Sequence, residues 1–200
     1  MPGSTVLRYR TAILARKGLL FPRDTPHPYQ EVKEMQKTIE RRAVQEEDNA
    51  EIRELMHVML NGDTYTSLQA IGALGAIGAP AVGPLVQALL AADSDARWVV
   101  AMALARTGAE AVEPLIGVVK TADDAITNPT VWALAEIGDP RAVDPLVAVL
   151  RTSGSECCRV LTAAALLKLG NPAGIAEVEK EFDRLGEGFT GLAMEAYEGT

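Results

Sequence analysis

A chain of 200 residues that is 48% hydrophobic, 23% charged and 4% aromatic can bury a sizeable core, which excludes wholesale disorder. Few aromatics beside abundant Ala, Leu, Val and Gly point away from a β-sandwich and towards small, closely packed helices. The formal net charge of −8 is unevenly split: residues 1–45 hold nine Lys and Arg against four acids (+5), and the remainder holds ten against 23 (−13), so phosphate-driven nucleic-acid binding is disfavoured for everything but the head.

In chain order, residues 1–28 are expected to form a basic N-terminal arm that is disordered or ordered by a partner, since Pro22, Pro26 and Pro28 interrupt it. Arg8, Arg10, Arg16 and Lys17 cut its apolar stretch, so it does not read as a secretory signal. Together with Arg23 they are the candidate arm contacts, and the weakest functional reading of the chain is nucleic-acid association through them.

Residues 29–200 are expected to be one domain, opening with N-terminal cap helices over 29–63. A polar helix from about Tyr29 to Glu47 carries Val32, Met35 and Ile39, a stripe too short for a coiled coil, although a homo-oligomer stays open. A second apolar stripe follows at Ile52, Leu55, Met56, Met59 and Leu60, and Asn61-Gly62 stops it. From Thr64 to Ala92 there are 29 residues without a charge, but Gly78-Ala79-Pro80 divides them into two short helices instead of one membrane span.

An internal repeat then organises the chain. Segments from Ala73, Ala103, Ala133 and Ala165 share Ala-Leu, three residues, a glycine, a turn and a second apolar run; in the first three that run contains Pro-Leu. The glycines Gly78, Gly108, Gly138 and Gly170 are spaced 30, 30 and 32 apart, defining units 64–92, 93–122, 123–152 and 153–185, with a C-terminal cap over 186–200. Leu74, Leu104, Leu134 and Leu166 end the apolar face of each first helix, and the glycine is predicted to close it in a left-handed conformation. The third and fourth units add a residue after the glycine, where Asp139-Pro140 and Asn171-Pro172 cap and restart the chain. Second helices present Val82, Leu85 and Leu89, then Val112, Leu115 and Val119, then Val143, Leu146 and Leu150, at helical spacing. Pro84, Pro114 and Pro145 are placed in first turns, and Asn128-Pro129 predicts a late start, near Pro129, for the first helix of the third unit. Gly186 and Gly188 break the fourth unit, and Phe189, Leu192, Ala193 and Tyr197 predict a short closing helix.

The pattern of Asp-Ala-Arg, Ala-x-Ala-Leu and Gly-Asp-Pro-x-Ala-Val-x-Pro-Leu, over about residues 64–185, resembles HEAT repeats of the short kind also found in phycobilisome-lyase subunits. The resemblance implies an all-α fold, an α-solenoid or superhelix of stacked antiparallel helix pairs. Physics agrees, because a two-helix unit cannot bury its apolar face alone.

No catalytic constellation is legible. Deoxyhypusine hydroxylase has similar repeats but relies on several His-Glu pairs for iron, whereas His27 precedes Pro28 and His57 precedes Val58 here. P-loop, dinucleotide and HExxH motifs are missing, so neither a metal nor a cofactor is expected. Cys157 and Cys158 are too close along the chain for an internal disulfide and read as a packed thiol pair in a reducing, cytoplasmic setting. Arg97 and Arg159 recur in register, as an anion-binding row or as a ladder paired with turn carboxylates such as Asp93, Asp95 or Asp123, the ladder being favoured. Trp98 and Trp132 are not equivalent in the repeat and read as partly buried packing in preference to exposed hot spots.

The second helices are expected to line a concave surface, with Gln87, Glu113, Lys120, Asp144 and Arg151 directed outward and Gly83, Gly117 and Ala148 leaving it bare. Such a groove suits a partner helix or peptide, and equally the small residues serve curvature alone. The leading expectation is a non-enzymatic protein-binding scaffold or regulatory subunit. The alternative is a bilin-lyase-like or cofactor-modification accessory subunit, implied by the resemblance only.

Overall fold

The computed structural model describes residues 28–199. The arm residues Arg8, Arg10, Arg16, Lys17 and Arg23 lie outside the described residues, as does His27. By internal contacts the chain divides into two units, Met1–Glu47 and Asp48–Thr200. Every described residue is helix, turn or loop, with no strand among them.

Helix α1 runs from Pro28 to Asn61, 34 residues without a break, where the sequence suggested two cap helices. Nothing between Glu47 and Ile52 interrupts it, since neither Gly nor Pro occurs there. In the first unit Met35 and Ile39 are 60% and 61% exposed. In the second unit the same helix buries Ile52 and Met59, with Leu55, Met56 and Val58 packed beside them, while Leu60 points to solvent. The Gly62 N–H closes the helix on the Val58 carbonyl at 2.8 Å.

The rest of the second unit is a helix–turn–helix array: α2 (Thr64–Ile77), α3 (Ala79–Ala91), α4 (Ser94–Thr107), α5 (Val112–Val119), α6 (Asp124–Ile137), α7 (Val143–Thr152), α8 (Glu156–Leu169), α9 (Pro172–Leu185) and α10 (Glu187–Glu198). The first helices α2, α4, α6 and α8 stack side by side, and the closing helix α10 continues their row against α8. Each second helix α3, α5 and α7 lies against the first helix of the following unit. The result is an α-solenoid of stacked helix pairs.

Two turn chemistries alternate through the array. Where a second helix hands over to the next first helix, Asp93, Asp123 and Ser155 accept the N–H of the residue three positions on, and Asp63 does the same after α1. Where a first helix hands over to its own second helix, the turn glycine has positive φ in all four repeats, but only two of the four adopt the left-handed conformation expected from the spacing. Their ψ values separate the units. Gly138 and Gly170 are left-handed, with ψ of 17° and 12°, and leave room for the capping side chains of Asp139 and Asn171. Gly78 and Gly108 sit at ψ of −130° and −142°, a region open essentially to glycine alone, and their turns are one residue shorter.

The prolines show two departures. Pro114 and Pro145 are in first turns, because short 3-10 segments (Gly108–Ala111 and Pro140–Ala142) precede α5 and α7. In the first repeat the helix is α from Ala79 onward, so Pro84 falls beyond its first turn. Similarly, α6 starts at Asp124 and carries Pro129 inside it, not at its start. The Asp123 cap, 3.1 Å from the Ile126 N–H, nucleates the turn before the proline is reached, and Ala125, whose carbonyl the proline cannot use, is exposed to water.

The core runs along the seam between the rows. Leu74, Leu104, Leu134 and Leu166 from the first helices, and Leu85, Leu115 and Leu146 from the second, are fully buried. The first row closes up on small residues, with Ala101, Ala103, Ala133 and Ala163 wholly inaccessible. Gly75 shows how tightly: a Cβ there would lie 2.6 Å from Arg106 Cβ and 3.0 Å from its carbonyl oxygen. Phe189 and Ala193 of α10 are buried as expected, Phe189 in an edge-on contact with Phe182 at 6.1 Å, while Leu192 and Tyr197 remain largely exposed.

Candidate functional site: a groove on the first-helix row

The second row carries the outward residues singled out from sequence, and the structure uses several of them internally. Glu113 accepts from Arg141 Nη1 at 3.4 Å, across one repeat. Arg141 also engages Asp139 at 2.7 Å and donates to the Ala109 carbonyl at 3.2 Å, pinning neighbouring turns together. That guanidinium holds the Asp139 carboxyl below the usual carboxylate range, and the carboxylate in turn raises Arg141. Arg151 donates from Nε to Glu177 at 3.1 Å, again across a repeat. Lys180 and then Arg151 lower the Glu177 carboxyl by hydrogen bonding. Gln87, Asp144 and Lys120 are exposed.

An inter-repeat ladder therefore exists, but Arg97 and Arg159 are not its rungs. Neither makes an ion pair among the described residues; the Asp93 and Asp123 carboxylates act as helix caps instead. Arg159 donates to the Ser153 carbonyl at 3.3 Å, and the Nε atoms of both arginines, with Asn128 Oδ1, are buried without a hydrogen-bond partner. The thiols also depart from the expected packed pair. Cys158 is buried and its thiol is pushed up, chiefly by that burial, whereas Cys157 is exposed, 3.9 Å from the Asn128 amide nitrogen.

The first row is chemically different. Its outward stripe follows the i, i+4 steps of α4 and α6: Trp98, Met102 and Arg106 on one helix, Asn128, Trp132 and Glu136 on the other. Trp98 is 40% exposed and Met102 36%, while Trp132 is half-buried. The two indoles meet edge to face with centroids 6.3 Å apart, although they occupy different repeat positions; each is long enough to bridge one turn of register. Tyr65 and Leu68 extend the apolar face onto α2, at 70% and 52% exposure.

Between α4 and α6 this stripe opens into a groove of about 460 Å³ lined by Met102, Ala105, Arg106, Trp132 and Glu136. On the far side of Trp132 lies a narrow apolar slot between Ala135, Leu161, Ala165 and Lys168. Lys168 pairs with Glu136. Arg106 has no ion pair or side-chain hydrogen bond among the described residues, its stem lying against Gly75. Such a wall, part aromatic and part cationic, can seat an apolar side chain and hold an anion beside it.

Repeat spacing did not single out this groove, because it compared equivalent positions and Trp98 and Trp132 are inequivalent. The available signal was different: Trp98 and Met102 stand four apart on one helix of an otherwise Ala-rich row, and Trp132 and Glu136 stand four apart on the next. No cluster of three or more His, Cys, Asp or Glu suited to a metal occurs among the described residues, and no helix there is long and apolar enough to cross a membrane. Among known proteins, residues 83–168 match the family model of HEAT repeats, a span that includes α4, α5, α6 and α7 and nearly all of α8. No curated protein matches the chain.

Proposed function

We propose that this HEAT-repeat protein is a non-enzymatic protein-binding scaffold or regulatory subunit, and that it holds its partner on the first-helix row. The observation that carries this reading is the cluster of exposed Trp98 and Met102 with half-buried Trp132 beside a 460 Å³ groove. Aromatic and methionine side chains clustered in the open are costly to keep in water and are typical of interface centres. The second row supports the same choice by contrast, since Glu113 and Arg151 are engaged within the chain.

The test is recovery of the full-length chain from its native cells with quantitative identification of what accompanies it. Wild type and Asp144→Lys should hold the same stoichiometric partner, and Met102→Glu should release it. Loss with Asp144→Lys and retention with Met102→Glu would move the site to the second row. Absence of any stoichiometric protein would contradict the scaffold reading.

A further inference from the structure

Charge around the groove says what kind of segment belongs in it. The first repeat, Thr64–Ala92, has no ionisable acid or base apart from the Tyr65 phenol, so the surface leading to the groove is neutral at pH 7. Of the three charged groups about Trp132, Glu136 and Lys168 neutralise each other, and the guanidinium of Arg106 is left over. Asp95, the nearest acid on the outward stripe of α4, is eleven residues back, roughly 16 Å along the helix axis, beyond the screening length of physiological salt. The acidic excess of the chain lies to either side, where residues 46–63 hold six carboxylates against one cation and residues 177–198 hold seven against two. A purely apolar occupant would strip water from Arg106 without replacing it, and a basic one would be repelled.

Resting on the scaffold reading, we propose that the groove takes an acidic amphipathic segment of a partner protein, seating one large apolar side chain between Met102 and Trp132 while a carboxylate on the same segment pairs with Arg106. The planar guanidinium offers two parallel N–H donors to that carboxylate, which sets the register of the segment on the row.

Two synthetic helical peptides test this. They lack tryptophan, share one apolar face with a Phe anchor, and differ only in carrying Glu or Lys one turn after it. The chain's two tryptophans, Trp98 and Trp132, both stand in the groove region, so their emission reports occupancy directly. The full chain should bind the Glu peptide about tenfold more tightly than the Lys peptide, the order expected for one charge-assisted contact. Arg106→Gln should flatten that preference and Arg106→Glu should invert it. Equal affinities, a preference unmoved by both variants, or no binding of either peptide would overturn the proposal. A self-association of the chain abolished by Met102→Glu would overturn it too, by giving the face to a second copy. In the cellular recovery experiment, a partner released by Met102→Glu and kept by both Arg106 variants removes the carboxylate inference and leaves the scaffold reading standing. A partner kept by all three removes the carboxylate inference and the first-row placement together, and only the absence of any partner removes the scaffold reading.

Discussion

The two rows of the solenoid are built from one repeat, yet they differ in what they leave exposed. On the second row two outward pairs bridge repeats, Glu113 with Arg141 and Arg151 with Glu177, and stiffen the array, while Lys120 and Asp144 face solvent. On the first row the backbones are drawn together by Gly75 and a run of buried alanines, while the outer surface keeps two indoles, a methionine and an uncompensated arginine. Close stacking explains part of this, since small residues inward leave only outward positions for large ones. It does not explain why those large ones are aromatic and exposed. Internal cohesion marks one row and availability the other.

The largest expected effects ignore the difference, because both rows share one core. Leu104→Ala on α4 and Leu115→Ala on α5 remove fully buried side chains, and each should lower unfolding free energy by about 2–5 kcal/mol in denaturant titrations. A cost confined to one of the pair would mean the rows do not unfold together.

Glycine substitutions should separate the rows. Gly75→Ala places a Cβ against Arg106 in the tightly stacked row and should destabilise by about 1–3 kcal/mol. Gly117→Ala, on α5 with open space around it, should stabilise by about 0.4–1 kcal/mol through the unfolded chain. Like signs for both would remove the contrast in packing. Of similar size, Asp93→Ala and Asp123→Ala each delete a cap at the entry to a first helix and should cost about 1 kcal/mol.

Acid titration probes the second row. Asp139 is held below its ordinary value of 3.8 by Arg141, so their pairing contributes fully above that pH and is lost as pH falls through the lowered value. The melting-temperature gap between wild type and Arg141→Ala should therefore be constant near neutrality and close below pH 3.8. A gap that persists in acid would assign the effect to the Ala109 carbonyl contact instead.

The architecture was legible because its causes are local and periodic. A glycine every thirty residues or so, with a leucine four before it, specifies helix, stop and core position together, and Gly78 to Gly170 behave accordingly. Pro129 misled because a proline usually reads as a start, whereas the cap at Asp123 had already begun the helix. Arg97 and Arg159 misled for a related reason: turn aspartates look like ion-pair partners until their carboxylates are seen bonding backbone N–H groups. The groove stayed hidden because it belongs to two neighbouring helices at once, joining Trp98 to Trp132 across a register offset that a single repeat does not contain.

Footprinting of the full-length chain in its native complex tests the central claim most directly. Photochemical labelling read residue by residue should show protection at Trp98, Met102, Arg106 and Trp132 relative to the free chain, with Gln87, Lys120 and Asp144 unchanged. Protection of those second-row residues, with the indoles still fully labelled, would contradict the account.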